Sequence, residues 1–211
     1  MIIYHGNPNI SDIEKAEAAA PEYDHRAEYD IESFRLNTGL PYLLDNGAFK
    51  CYTDNRPWDA TLFVRRLNQI PQKEHDPDFI VLPDVVTDPR GTHRRAKEWA
   101  NVIDYPTLYP CQDGVSPERA CDIAHELGAK GLFIGGTVSW KRENAEGFVT
   151  EGHDRGLHVH IGRPTDLRWA ENTGCDSVET TSIVRNQSFE KLRELEEQTN
   201  LSKIVNTPKH I

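Results

Sequence analysis

Short apolar runs rich in β-branched residues recur along the chain, and longer amphipathic stretches separate them. This alternation is typical of βα units arranged around a parallel sheet. Seven such runs predict strands, and the segment 202–206 is the candidate for an eighth. The seven predicted strands are residues 2–5, 42–44, 78–82, 107–109, 131–134, 157–161 and 176–180.

The stretches between the predicted strands have helical periodicity. In the clearest of them, residues 116–128, Ser116 suits the N-cap, Pro117 suits the first helical position and Gly128 ends the apolar face. Residues 21–40 are polar and have no clear period, so we expect a loop or an insertion there. Further helices are predicted at residues 59–70, 91–103, 144–156, 165–174 and 188–198.

The repeated units predict the fold class. A chain of 211 residues fits one domain, residues 1–211, better than two small ones. No GxGxxG motif follows the first predicted strand, which argues against a doubly wound dinucleotide-binding sheet. The predicted fold is therefore α/β, a compact TIM-like (β/α)8 barrel that is either complete or one unit short.

The composition limits the partners. Acidic residues outnumber basic ones, 34 against 24, so nonspecific attraction to phosphates is not the main affinity and any contact with nucleic acid must be local. An ordinary acidic enzyme and one adapted to high salt both fit this balance. The four cysteines form no CxxC pair, no apolar run approaches the roughly 20 residues of a membrane span, and a signal-peptide pattern is absent. We expect a cytoplasmic protein with no membrane association.

Polar residues cluster where the predicted strands end. In a barrel of parallel strands these positions converge on one rim. Carboxylates, an amide side chain and a glycine pair can hold a flat heterocycle there while a further carboxylate attacks or stabilises a sugar carbon. Neither a Walker-type phosphate loop nor an evident Ser-His-Asp order is present, so glycosyl chemistry is favoured. The strand-end residues are Asp45, Asn46, Gly47, Pro83, Asp84, Cys111, Gln112, Asp113, Gly114, Gly135, Gly136, Gly162, Arg163, Asp176 and Glu179.

Five segments carry a family resemblance. In chain order they are LLDNGAF, IVLPDVVTD, PCQDG, LFIGGTVSWK and HVHIGRPTDLRWAENTGCDSVETT, each beginning within or beside a predicted strand. Together they resemble the tRNA-guanine transglycosylase superfamily, and in particular its short DNA-modifying branch, the DpdA-like 7-deazaguanine DNA transglycosylases. The match extends from about residue 42 to residue 197, which is most of the chain.

The resemblance implies roles for the residues that hold the base. Asp45 of DNGAF stands at the position of an aspartate that contacts the base or serves in acid/base work. Asp84 matches the acid that reads the purine edge, and Gln112 matches a glutamine that contacts the base. Gly135 and Gly136 match a glycine pair whose backbone lies against the base.

The resemblance places the nucleophile at Glu179, three residues after Asp176 and six before Arg185. The family usually has aspartate at this position, and an extra methylene moves the carboxylate by about 1 Å. Either the pocket adapts to the longer side chain, or Asp176 attacks instead, or the activity is altered. Asp176 otherwise contacts the substrate or orients a loop.

Several cations and one tryptophan near the strand ends are candidates for binding nucleic acid. Arg163 and Arg185 would bind phosphates or pair with the nearby acids. Lys141 and Trp140 would hold or stack on the nucleic acid, although a Trp packed in the core is equally compatible with the sequence.

The resemblance implies base exchange in DNA: a carboxylate attacks C1′ of a guanine nucleotide, guanine leaves, and a free 7-deazaguanine base replaces it. No cofactor is expected. The Cys3His zinc element of the tRNA enzymes has no counterpart here. Of the neighbouring His153, His158 and His160, the last two share one strand face but have no evident third ligand, so we expect no metal. Two alternatives stay open: a glycosidase or nucleoside base-exchange enzyme acting on small substrates, and a catalytically weakened barrel that binds a deazapurine or assists a partner.

Overall fold

A computed structural model describes residues 1–35 and 39–206. Eight parallel strands close into a barrel in the order in which they occur in the chain. The predicted (β/α)8 barrel is confirmed, and it is complete. The strands are β1 (Ile2–Gly6), β2 (Asp24–Tyr29), β3 (Tyr42–Leu44), β4 (Phe79–Val81), β5 (Thr107–Cys111), β6 (Gly131–Ile134), β7 (His158–Ile161) and β8 (Ser177–Thr180).

The eighth strand lies elsewhere than predicted. It is β2, inside the segment 21–40 for which the sequence predicted a loop or insertion, and residues 36–38 of that segment lie outside the described residues. Residues 202–206 form the end of a helix, so the prediction of a strand there was wrong. β2 pairs with β1 through five residues and with β3 through three, and these pairings complete the barrel.

The polar sequence of β2 explains why an apolar pattern did not reveal it. Its first residues form ion pairs, with Arg26 Nη1 lying 2.7 Å from Asp78 Oδ1. At its carboxyl end the buried positions include Glu28, a carboxyl group on the rim of the barrel. Central strands of parallel sheets usually read as apolar runs, and this strand departs from that rule.

Helices follow the strands and cover the outside of the barrel. The helix predicted at residues 144–156 begins earlier, at Val138, and ends at Asp154. Three helices were not predicted: α1 (Ile10–Ala19), α2 (Ala48–Thr53) and α8 (Ser182–Arg185). In α1 a reciprocal pair of hydrogen bonds between Asn9 and Asp12 caps the first turn. The helices are α1 (Ile10–Ala19), α2 (Ala48–Thr53), α3 (Ala60–Leu67), α4 (Pro89–Ala100), α5 (Pro117–Glu126), α6 (Val138–Asp154), α7 (Leu167–Asn172), α8 (Ser182–Arg185) and α9 (Glu190–Asn206), with a 3₁₀ turn at Ile70–Gln72.

The apolar core has two parts. A large cluster fills the layer between the strands and the helices, and a small one, formed by Tyr4, Leu43, Val81 and Leu108, fills the barrel interior. Because the strands are parallel, all their carboxyl ends meet at one rim. No helix among the described residues combines the length and the apolar character needed to cross a bilayer.

Candidate active site

Three buried carboxyl groups meet at the carboxyl rim of the barrel. Glu28 lies on β2, Asp45 directly follows β3, and Glu179 lies on β8. One oxygen of each lies within 4.8 Å of an oxygen of the other two. We call these three residues the carboxylate cluster.

Burial and mutual repulsion make the cluster reluctant to ionise. The pKa of Glu179 is raised to about 7, mainly by burial and then by the charge of Asp45, with Arg163 opposing both effects. Burial also raises the pKa of Glu28, with the charges of Glu179 and Asp45 adding to the effect. The pKa of Asp45 is raised by burial as well, although Arg163 counteracts this. The cluster therefore retains protons near neutral pH.

Arg163 places a positive charge beside Glu179. Its Nε lies 3.3 Å from Glu179 Oε1, and its guanidinium lies 4.6 Å from the ring centroid of Phe49. The backbone of Arg163 has φ of 45°, a left-handed conformation that is costly for a residue other than glycine. This strained turn after β7 directs the side chain over the carboxylate cluster.

Lys141 of α6 holds the same turn through hydrogen bonds to its backbone. Its buried Nζ donates to the carbonyl oxygens of Gly162, at 2.5 Å, and Arg163, at 3.3 Å. Burial lowers the pKa of Lys141, and the negative charge of Glu179 opposes that shift. Although Lys141 lines the cavity described below, its ammonium group is bonded to the protein backbone, so its present contacts position Arg163.

A second polar group surrounds Asp84, three residues beyond β4. Its Oδ1 accepts from Asn46 Nδ2 at 3.1 Å, and its Oδ2 accepts from Gln112 Nε2 at 2.6 Å. Gln112 Oε1 in turn accepts from the backbone N–H of Thr87 at 3.2 Å. The pKa of Asp84 is raised to about 7, mainly by burial and then by the charge of Asp45. The network fixes one orientation for both amide side chains.

The DNGAF segment forms a helix start as well as part of the site. Asp45 Oδ1 accepts from the N–H of Gly47, and Asn46 Oδ1 accepts from the N–H of Ala48, which begins α2. Asn46 Nδ2 also donates to the carbonyl of Leu82 at 2.8 Å. Asp45 and Asn46 therefore form the turn before α2 and at the same time lie at the candidate site.

The two glycines after β6 have different constraints. Gly135 donates its N–H to the carbonyl of Cys111, so its flat backbone, rather than a free donor, faces the cavity. Gly136 has φ of 75°, and a Cβ there would lie 2.2 Å from Asp113 Oδ1. Only glycine fits at position 136 without displacing Asp113.

Two cavities open at the rim and share two residues, Arg163 and Glu179. The first, of about 480 Å³, is mainly apolar and includes the Asp84 network, Asp45 and Gly135 in its lining. The second, of about 530 Å³, has about as much polar as apolar lining, a larger polar share than the first, and is mixed in charge. Its charged lining residues are Glu28, Asp30, Lys50, Arg163, Glu179 and Arg185.

The structure brings most of the sequence-predicted site residues together. Asp45, Asp84, Gln112, Gly135, Gly136, Lys141, Arg163 and Glu179 line the first cavity, and Arg185 lines the second, exposed at the end of α8. Glu28 was missed because its strand was not recognised. The sequence signal that would reveal it is the acid in the middle of AEY, residues 27–29, at a spacing that matches a strand before YLL.

Two predicted residues lie outside both cavities. Asp176 precedes β8, at the amino end of the barrel, where its Oδ2 accepts from the N–H of Val159 and contacts His153 Nε2. Three residues of strand correspond to about 10 Å, so Asp176 and Glu179 lie at opposite ends of β8, and the prediction that Asp176 contacts substrate was wrong. Trp140 packs edge-on against Phe148 at 5.3 Å and does not line either cavity.

The carboxylate cluster is also the place where a cation would be sought. Among the described residues no other three His, Cys, Asp or Glu side chains bring ligand atoms so close together. Arg163 already supplies a positive charge at this position. The arrangement is therefore that of clustered acids balanced by a guanidinium, and the expectation that the protein uses no metal stays a prediction.

Comparisons with known proteins identify the fold alone. No family model matches the chain, and no curated protein matches it. Among solved structures, it is similar to the tryptophan synthase alpha chain from Legionella pneumophila, with a TM-score of 0.55 and 11% identity over 93% of this chain and 91% of that one. Orotidine 5′-monophosphate decarboxylase from Sulfolobus solfataricus gives 0.54 and 10% identity, with 96% and 98% covered. The tryptophan synthase A-subunit from Pyrococcus furiosus gives 0.51 and 14% identity, with 95% and 96% covered.

Proposed function

We propose that this protein is a transglycosylase that exchanges guanine in DNA for a 7-deazaguanine base through a covalent intermediate on Glu179. The observation that carries the proposal is the position of Glu179 at the junction of two unlike cavities. An N-glycosidic bond joins a flat apolar base to a polar sugar, and a nucleophile for C1′ must stand between the two.

The first cavity suits a purine base. Its volume of about 480 Å³ falls in the range of small-molecule sites, and its walls are mainly apolar with a few polar groups. Asp84 retains lone pairs for ring N–H or amino donors of a purine, because each of its oxygens accepts one protein hydrogen bond. Gly135 allows close approach of a flat ring. These features support base recognition at this position.

The proposed chemistry splits one substitution into two. An oxygen of Glu179 forms a bond to C1′ while the bond from C1′ to N9 breaks, and N9 keeps the electron pair. A proton held by Asp45 moves to N9, so guanine leaves neutral. The incoming 7-deazaguanine returns its N9 proton to Asp45, forms the new bond to C1′ and releases Glu179. Arg163 holds the attacking carboxylate in place throughout.

The second cavity suits the sugar and its phosphates. Lys50, Arg163 and Arg185 provide local positive charge in a protein whose formal net charge is -10. A target guanine must leave the helical stack to reach the first cavity, which costs on the order of a few kcal/mol. Because the protein as a whole is acidic, its contacts with DNA phosphates must be local, and these three cations can make them.

One observation favours a second candidate. Glu28 and Asp30 also line the second cavity, and carboxylates there suit the free hydroxyls of a nucleoside better than phosphates. The second candidate is therefore a nucleoside base-exchange enzyme or glycosidase acting on small substrates.

Labelled substrates separate the candidates. Protein is incubated with DNA, tRNA or free nucleosides carrying labelled guanine, with and without a 7-deazaguanine base. We expect label to be released from DNA, together with a denaturant-resistant adduct that Glu179→Gln fails to form. Release from nucleosides alone supports the second candidate. Tight deazapurine binding without any release indicates a binding protein and overturns both.

A further inference from the structure

Two buried polar atoms without partners face each other behind the carboxylate cluster. Glu179 Oε2 and His160 Nε2 lie 3.9 Å apart, and neither has a hydrogen-bond partner among the described residues. The side chains of Glu179 and His160 are 2% and 0% exposed. Leaving a buried polar group without a hydrogen bond is unfavourable, and a single proton between these two atoms would satisfy both after a movement of about 1 Å.

A line of polar side chains continues from His160 through the barrel interior. His160 Nδ1 lies 2.9 Å from Ser177 Oγ, and Ser177 Oγ lies 2.7 Å from His158 Nε2. Residues two apart on a strand share a face, and His160 of β7 is in register with Ser177 of β8. We call Glu179, His160, Ser177 and His158 the relay chain.

The relay chain ends at the opposite rim of the barrel. His158 Nδ1 lies 4.0 Å from Asp176 Oδ2, and the same oxygen lies 3.0 Å from Nε2 of the partly exposed His153. Asp176 is far from the cavities, but its carboxylate lies between these two histidines. It can stabilise a positive charge on His158.

We propose that the relay chain moves a proton from Glu179 to His158 when Glu179 acts as nucleophile. The inference rests on the proposed function. The Glu179 O–H proton passes to His160 Nε2, the Nδ1 proton of His160 passes to Ser177 Oγ, and the hydroxyl proton of Ser177 passes to His158 Nε2. Glu179 becomes a carboxylate and His158 becomes an imidazolium, so one proton and one charge are transferred. The reverse sequence reprotonates Glu179 on release.

A bound nucleotide would leave the relay chain as the route by which Glu179 loses its proton. A nucleotide that fills both cavities covers the solvent side of Glu179, because that residue lies at their junction. Its proton then has no exit through the cavities, whereas the relay chain leads away from them. His160 and Ser177 touch no substrate and serve as positioning residues for the nucleophile.

The surrounding charges agree with a resting proton on Glu179. Burial lowers the pKa of His160 well below its usual value and lowers that of His158, so neither imidazole holds the proton at rest. The groups that face Glu179 are Glu28 on β2, Asp45 after β3, Arg163 after β7, His160 on β7 and Lys141 on α6. The charged and titratable groups near His158 are Asp78, Arg26, His153 and Asp176.

The first test needs no substrate. Loss of the Glu179 proton reverses every hydrogen bond of the relay chain, so the N–H of His158 moves from Nδ1 to Nε2. Carboxyl ¹³C and imidazole ¹⁵N resonances of the ligand-free protein are followed across pH. We expect the His158 tautomer to switch at the midpoint of the Glu179 titration, and Ser177→Ala to abolish this coupling. A His158 tautomer that does not follow Glu179 in the wild-type protein overturns the relay.

The second test is kinetic. We expect Ser177→Ala to slow adduct formation about 100-fold near pH 6 and to recover to within a few-fold above about pH 8, where Glu179 is ionised before the nucleotide binds. Ser177→Thr keeps the hydroxyl and should retain most of the rate. His25→Phe removes a buried imidazole outside the relay chain and should leave the pH profile unchanged. An equal loss at every pH indicates a packing role and contradicts the relay.

The two tests also separate the inference from the proposed function. A protein that releases no base from any substrate refutes the transglycosylase, while the titration of Glu179 and His158 still decides the relay. A transglycosylase whose His158 tautomer is independent of Glu179 refutes the relay alone.

Discussion

At the scale of single residues, the site depends on carboxyl groups that are held in an unfavourable environment. Glu179 is buried, close to two other acids, and faces one guanidinium. Such groups hold protons near neutral pH and ionise when a positive charge develops nearby, as at C1′ during glycosyl transfer. The cluster is thus suited to chemistry at a sugar carbon.

The length of the Glu179 side chain is a test of its role. Glu179→Gln removes the proposed nucleophile and should lower adduct formation by at least about 1,000-fold. Glu179→Asp withdraws the carboxylate by about 1 Å and should lower it about 100-fold. The measurement is single-turnover adduct formation with DNA. Asp122→Asn, an exposed acid paired with Arg155, is the matched control and should have no effect. An active Glu179→Gln would show that another residue attacks.

The raised pKa of Glu28 predicts how stability depends on pH. The folded protein binds the proton of the Glu28 carboxyl group more tightly than the unfolded chain does. The stability that protonated Glu28 contributes is therefore complete below the pKa of Glu28 in the unfolded chain, and it is lost as pH rises toward the pKa of Glu28 in the folded protein. Glu28→Gln should therefore raise the free energy of unfolding at pH 8 by at least about 1 kcal/mol, with a smaller change near pH 4. Denaturant melts at both pH values measure this, with exposed Glu118→Gln as control. A destabilised variant at pH 8 would contradict the assignment.

At the scale of elements, the loops after the strands determine the site. The turn after β7 holds Arg163 in a left-handed conformation over Glu179, and Lys141 from α6 fixes that turn through two backbone carbonyls. The turn after β6 requires glycine at position 136. The strain in these turns is maintained by the rigid barrel to which they are attached.

Two glycines provide a matched pair for the turn after β6. Gly136 and Gly128 both have positive φ, at 75° and 68°, but an added Cβ meets Asp113 at 2.2 Å in the first and nothing within 4 Å in the second. Gly128→Ala should cost about 1 kcal/mol from backbone strain, and Gly136→Ala should cost about 1–2 kcal/mol more. Thermal or denaturant unfolding measures the difference. Equal losses would mean that Asp113 moves aside without cost.

At the scale of the whole molecule, a few cations on one rim stand against an acidic background. The formal net charge is -10, and Lys50, Arg163 and Arg185 surround the second cavity. Binding of a nucleic acid should therefore involve few ion pairs and depend weakly on salt compared with proteins that bind DNA through large basic surfaces.

This charge pattern gives a quantitative expectation for DNA. With two or three phosphate contacts, log K against log salt concentration should have a slope of about −2 to −3, and Arg185→Gln should reduce its magnitude by about 1. Fluorescence anisotropy over a salt series measures both. Arg155→Gln is the control and should leave the slope unchanged, because Arg155 follows the end of α6, pairs with Asp122 and Glu151, and does not line the second cavity. A slope near zero would favour small nucleosides over DNA.

Much of the fold and part of the site follow from the sequence. Both faces of a barrel strand are covered, so a strand usually appears in the sequence as an apolar, β-branched run. The seven strands predicted from such runs are all observed, with ends that differ by a few residues at most. Asp45, Asp84, Gln112, Gly135 and Glu179 follow or end these strands, so a parallel barrel necessarily brings them to one rim.

The tertiary structure alone decided the rest. β2 contributes only two apolar side chains to the core, Ala27 and Tyr29, and is otherwise held by pairing with its neighbours and by ion pairs, so Glu28 could be placed only once the barrel was closed. Asp176 and Glu179 are three residues apart in sequence but lie at opposite ends of one strand, because an extended chain separates them by about 10 Å. The pairing of His160 with Glu179 depends on the register of β7 and β8, which no local pattern specifies.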